Sequence, residues 1–74
     1  MINVALLGFG RIGQMHAQNI YLNKTLNLLY VYEKIDKLRK KAKSLYNCKI
    51  EKDYKKIFSD KKVDIIFISS PTNT

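Results

Sequence analysis

The stretch NVALLGFGRIGQMHAQNI, residues 3–20, runs apolar to Leu7, breaks on glycine at positions 8, 10 and 13, and then turns amphipathic. With Ile2 in front, the apolar run has the length and content of a strand covered on both faces. From Arg11 to about Leu22, Ile12, Met15/His16 and Asn19/Ile20 recur at helical spacing, which predicts an amphipathic helix with that stripe inward. Glycine loses more conformational freedom on folding than any other residue. Three at one junction imply that the backbone there comes close to something.

Strand, G-x-G-x-x-G, helix is the arrangement that cradles the diphosphate of a dinucleotide. Gly8 permits the tight turn off the strand. Gly10, lacking a Cβ, lets a diphosphate approach the main chain, and Gly13 lets the helix pack closely on the sheet. The N–H groups from Phe9 to Ile12 are expected to point at the phosphates, near the positive end of the helix dipole, with Arg11 adding a charge at the rim. The motif has its partner. Glu33 lies 20 positions after Gly13, at the end of the next apolar run, where the fingerprint expects an acid that accepts hydrogen bonds from the adenosine ribose. A carboxylate there repels a 2′-phosphate, so NAD is the expected cofactor. The adjacent Lys34 keeps NADP as the alternative.

The remaining chain repeats the alternation. LNLLYVY, residues 26–32, reads as a second strand, with Tyr30 and Tyr32 as core or edge residues beside Val31. KIDKLRKKAKSLY, residues 34–46, places Ile35, Leu38, Ala42 and Leu45 on one helical face and lysines on the other, with Asp36 in the first turn where the dipole favours an acid. NCKIE leaves room for a very short third strand. KDYKKIFSD suits a short helix with Asp53 near its start and Tyr54, Ile57 and Phe58 inward. Val63–Ser69 is a fourth, almost wholly apolar strand, and Pro71 ends it. The order βαβαβαβ predicts an α/β fold: an incomplete Rossmann-type parallel sheet of four strands and three helices with right-handed crossovers. That rule puts the first two helices on one face and the third on the other, with strand four beside strand one. Apolar sheet is then left uncovered and strand four is an open edge, so self-association through that edge is expected.

Seventy-four residues make one small domain, residues 1–74, whose own core supplies about 3–5 kcal/mol. The 46 % hydrophobic and 27 % charged content is that of a globular domain. No apolar run is long enough for a membrane helix and no leader precedes the first strand, so the cytoplasm is the expected location and no membrane partner is expected. The net charge of +8 comes mostly from lysines that fall on the polar faces of the predicted second and third helices. Readers of nucleic acid bring arginine and stacking aromatics to one face. A solvated lysine face is the expectation, and no nucleic-acid partner. Cys48 stands alone, a packed thiol without a disulfide or metal partner. His16 is expected to pack against the sheet. No metal site and no catalytic acid or base is assigned.

VALLGFGRIGQMHAQNI, the strand-end acid and VDIIFISSPTNT together resemble the N-terminal, NAD(P)-binding part of the glucose–fructose oxidoreductase/inositol dehydrogenase family over essentially all 74 residues. The resemblance implies cofactor contacts at Phe9, Gly10, Arg11, Ile12 and Glu33. It also implies contacts at Ser70, Pro71, Thr72 and Asn73, which would lie beside the nicotinamide ribose. Members of that family continue with a Glu-Lys-Pro motif and a second domain that binds a polyol or sugar. The resemblance therefore implies the first part of an oxidoreductase acting on the CH–OH group of inositol or a sugar, inactive alone. The alternative is a standalone dinucleotide-sensing module without catalysis.

Overall fold

The computed structural model of the chain describes residues 1–69. The elements alternate as β1 (Ile2–Leu7), α1 (Arg11–Leu22), β2 (Leu26–Tyr32), α2 (Asp36–Tyr46), β3 (Lys49–Glu51), α3 (Tyr54–Phe58) and β4 (Ile65–Ile68). The strands form one parallel sheet in the order β3-β2-β1-β4. This is the Rossmann-type order expected from the alternation, with β4 beside β1. β4 is shorter than the apolar run from Val63. Val63 closes a turn onto the Asp60 carbonyl, and Asp64 enters the sheet by exchanging hydrogen bonds with Asn3, whose N–H meets its carboxylate at 2.8 Å.

Val4 and Leu6 of β1, Leu28 and Val31 of β2, Ala17 and Ile20 of α1 and Ala42 of α2 form one buried cluster. Leu28 and Val31 are three positions apart, which in a regular strand would put them on opposite faces. The pairing of β1 with β2 shifts between Val4, opposite Leu28, and Ala5, opposite Tyr30. Leu29 is the extra residue of a bulge, and the bulge returns Val31 to the face of Leu28. Ala5 and Ile57 are buried outside this cluster. On their side the Tyr30 hydroxyl donates to Asp60 at 2.6 Å and the Tyr32 ring meets Tyr54 edge-on. α1 and α2 thus share one face and α3 takes the other.

Three inward stripes differ from the expected ones. α1 buries Gly13, Ala17 and Ile20, while Ile12 and Met15 are 54 % and 52 % exposed. The helix sits so close to the sheet that small residues must face it. A Cβ at Gly13 would collide with the Gly8 carbonyl oxygen. α2 turns Leu38, Ala42 and Tyr46 inward and leaves Leu45 exposed, because the Tyr46 ring packs edge-on against the buried Phe9. α3, five residues long, has room for one fully buried position, Ile57; Tyr54 stays partly exposed with its ring against Tyr32, and Phe58 is exposed. Asp53 caps it as expected, accepting the Lys55 N–H at 3.0 Å. His16 packs against the Phe67 ring of β4, centroids 4.7 Å apart. All four β4 residues remain exposed among the described residues.

Candidate nucleotide-binding site

Parallel strands deliver their carboxyl ends to one side of the sheet, and ligands gather where neighbouring crossovers diverge. Here the ladder continues past each strand end. Gly8 N–H donates to the Tyr32 carbonyl at 2.8 Å, Ser69 N–H to Leu7 at 2.8 Å, and Glu33 N–H to Glu51 at 3.1 Å. A crevice of about 860 Å³ opens above these ends, between the β1–α1 turn and the β2–α2 turn, with Tyr54 on a further wall. Of the residues read from the sequence as cofactor contacts, Gly8, Gly10, Arg11, Ile12 and Glu33 line it, joined by Lys34 and Ser69. Gly13 and Phe9 do not; both are buried. Ser70, Pro71, Thr72 and Asn73 lie outside the described residues.

The three glycines are there for different reasons. Gly8 has φ 109°, a conformation that L side chains rarely adopt. Gly13 is fixed by packing, since an added Cβ would also lie 2.8 Å from the Gly8 carbonyl carbon. Gly10 has neither reason. Its φ of −73° suits any residue, and among the described residues nothing lies within 4 Å of where its Cβ would be. It borders the crevice, and the space beside its main chain opens into it. As N-cap of α1, Gly10 brings no side chain to the first-turn amides, and the first turn carries no acid. By contrast, α2 has Asp36 and α3 has Asp53 at that end. An uncapped helix start beside a cavity offers N–H donors and a positive dipole end to an anion.

Glu33 uses both carboxylate oxygens. Oε1 accepts the Phe9 N–H at 2.8 Å and Oε2 the Ile35 N–H at 3.1 Å. The Phe9 amide, expected to face the phosphates, is therefore turned to the acid, and the ring is fully buried in the core. A carboxylate offers about four acceptor positions, so Glu33 keeps capacity for ribose hydroxyls. Arg11 and Lys34 set positive charge at the mouth, and Glu33 is the one acid lining it among the described residues.

Arg39 escaped the sequence reading. Its Nη1 donates to the Glu33 carbonyl at 2.7 Å and the Lys34 carbonyl at 2.9 Å, and Nη2 to Asp36 at 3.0 Å. The only sequence signal is its place three residues after Asp36, a spacing ordinarily read as a solvent-exposed helix pair. Asp36 also pairs with Lys40 at 3.1 Å. That hydrogen bond, more than Arg39, holds its carboxyl below the usual range. Cys48 is buried against the Ala42 carbonyl, and burial pushes its thiol up. No helix among the described residues is long and apolar enough to cross a membrane.

A family model described as "Oxidoreductase family, NAD-binding Rossmann fold" matches residues 2–74. The myo-inositol 2-dehydrogenase of Thermotoga maritima is 32 % identical over 75 residues, which take in 99 % of this chain and 22 % of that protein. The crystal structure of a myo-inositol dehydrogenase from Corynebacterium glutamicum matches with a TM-score of 0.88 at 30 % identity, over 100 % of this chain and 22 % of that one. The scyllo-inositol dehydrogenase from Lactobacillus casei, solved with bound NAD(H) and scyllo-inositol, matches with a TM-score of 0.89 over 97 % of this chain and 22 % of its own. At 24 % identity that likeness speaks to the fold alone. The chain spans about a fifth of the length of these relatives. The glycine turn, the strand-end acid and the sheet order agree with the family match: the chain belongs to the oxidoreductase family with an NAD-binding Rossmann fold.

Proposed function

We propose that this chain is the cofactor-holding portion of an NAD-dependent oxidoreductase that acts on the CH–OH group of inositol or a related sugar. The observation that carries the reading is Gly10, a glycine that neither its backbone angles nor its neighbours among the described residues require, at the uncapped start of α1. Gly10 and the first-turn amides of α1 would hold the diphosphate, with Arg11 adding charge at the rim. The free acceptor positions of Glu33 take the adenosine ribose hydroxyls and disfavour a 2′-phosphate, so NAD is preferred to NADP. By the family resemblance, Ser70, Pro71, Thr72 and Asn73 are assigned as further cofactor contacts, for the nicotinamide end. The cofactor, when bound, would supply the hydride acceptor for oxidation of a secondary alcohol. The base for the hydroxyl proton and the surface that holds the polyol belong to the length of the relatives that this chain does not span.

The test is calorimetric titration of the protein with NAD and with NADP. The reading predicts saturable one-to-one binding with NAD the tighter ligand. Heat that is non-saturable, or equal for both and abolished by moderate salt, contradicts it, because that is the behaviour of a diffuse lysine surface.

A further inference from the structure

We infer that Arg39 is a positioning residue for the crevice acid. By gripping both carbonyls of the β2–α2 turn, it holds Glu33 in the attitude that admits an unsubstituted ribose and turns away a 2′-phosphate. The inference rests on the reading of the crevice as a dinucleotide site and names how that site chooses its ligand.

The Arg39 side chain is 13 % exposed, although the lysines of the same helix stand in solvent. One nitrogen, Nη1, reaches the carbonyls of Glu33 and Lys34 at 2.7 and 2.9 Å. The Lys34–Ile35 peptide is thereby held on both edges. Arg39 takes its carbonyl, and Glu33 Oε2 takes its N–H at 3.1 Å. A peptide unit is planar, so fixing the direction of its C=O fixes the direction of its N–H. That N–H pins Oε2 while the buried Phe9 N–H pins Oε1. The carboxylate is oriented by two amides, and one of them is oriented by Arg39.

The same bonds keep the guanidinium out of the ligand's reach. Arg39 is committed to two carbonyls and to Asp36. A 2′-phosphate entering the crevice meets a carboxylate that cannot swing aside, with Lys34 as the nearby exposed cation. If the turn is released, the carboxylate rotates and Lys34 is free to meet the phosphate. Selectivity then depends on a residue that touches neither the ribose nor the Glu33 carboxylate.

The experiment compares the protein with R39M and R39K, each titrated with NAD and with NADP and each checked by circular dichroism and thermal melting. The wild-type protein prefers NAD. R39M loses roughly tenfold in the ratio of the two affinities, the scale of one charge-assisted hydrogen bond. NADP binding holds or improves in that variant. R39K keeps the charge but not the planar fork, and moves the ratio in the same direction by less. A merely structural role lowers melting temperature and both affinities together and leaves the ratio alone. A folded R39M whose ratio stays within about twofold of wild type overturns the assignment. Should R39M fail to fold, an unchanged ratio in R39K overturns it equally. If wild type binds neither dinucleotide, or prefers NADP, the reading of the crevice fails and this inference with it. If wild type prefers NAD and the folded variants keep that preference, only the role of Arg39 fails.

Discussion

Phe9 donates its amide hydrogen to the Glu33 carboxylate at 2.8 Å, across 24 positions of sequence. The turn after β1 and the acid after β2 are therefore one unit and not two independent contacts. Glu33→Ala leaves the buried Phe9 N–H without an acceptor, a loss of about 1–3 kcal/mol. That is comparable with the few kcal/mol that a domain of this size has in reserve. Glu33→Gln keeps one acceptor oxygen. Thermal melts are expected to place Glu33→Gln between wild type and Glu33→Ala, and calorimetry to show both variants weakened toward NAD. Equal melting of wild type and Glu33→Ala would mean that the bond carries no stability.

The two glycines three residues apart should separate folding from binding. Gly13→Ala drives a methyl group into the Gly8 carbonyl and should destabilise the fold by about 1–3 kcal/mol. Gly10→Ala meets no atom of the described residues within 4 Å and needs no unusual backbone angle, so its stability should stay within about 1 kcal/mol of wild type. NAD affinity should nevertheless fall by about tenfold or more, because the methyl occupies the approach to the main chain. Chemical denaturation and calorimetry on the two variants check both halves. A Gly10→Ala protein that binds NAD like wild type would remove the reason offered for that glycine.

The link between β2 and the α3–β4 turn should show itself in pH. The Tyr30 hydroxyl donates to Asp60 at 2.6 Å. This bond is the main cause that raises the Tyr30 pKa above its ordinary value of 10.0, with burial adding to it, and the main cause that lowers Asp60 below 3.8. The raised tyrosine contributes stability that is present below pH 10.0 and lost as pH rises beyond it. The lowered aspartate contributes stability that is present above pH 3.8 and lost as pH falls through its depressed value. The stability difference between wild type and Tyr30→Phe should therefore be constant between these limits and shrink outside them. Denaturant titrations across pH measure it, and a difference that varied through neutral pH would assign it to another group.

Among the described residues β4 pairs only with β1, and Ile65, Ile66, Phe67 and Ile68 are all at least partly exposed, without a charge among them. Native edges are ordinarily guarded by lysine, proline or a bulge. Sedimentation should show the mean mass of the protein rising with concentration, and Ile66→Lys should hold it at the monomer. A wild-type protein that stays monomeric throughout would contradict this.

Much of this was legible because strands and helices of this fold leave separate periodicities. Ile2–Leu7 and Leu26–Tyr32 are bounded to the residue by their apolar runs, and the glycine spacing plus Glu33 points to residues that line the crevice. What hydrophobicity misread was close approach. Ile12 and Met15 are more apolar than Gly13 and Ala17, yet the smaller pair faces the sheet because the helix lies against the Gly8 carbonyl. The bulge at Leu29 left no trace in a run that is apolar at most positions. Arg39 was missed for a related reason. Its partners are main-chain carbonyls, which every residue possesses, so no pattern of side chains announces them.

A ¹H–¹⁵N correlation spectrum of the protein, recorded while NAD is added, reports on every backbone amide at once. The largest shifts should fall at Gly10, Arg11 and Ile12 and at Glu33, Lys34 and Ile35, saturating together, and should vanish in Gly10→Val. Shifts confined to the lysines of α2, or equally large in Gly10→Val, would place the nucleotide on the basic surface and leave the glycine turn without a ligand.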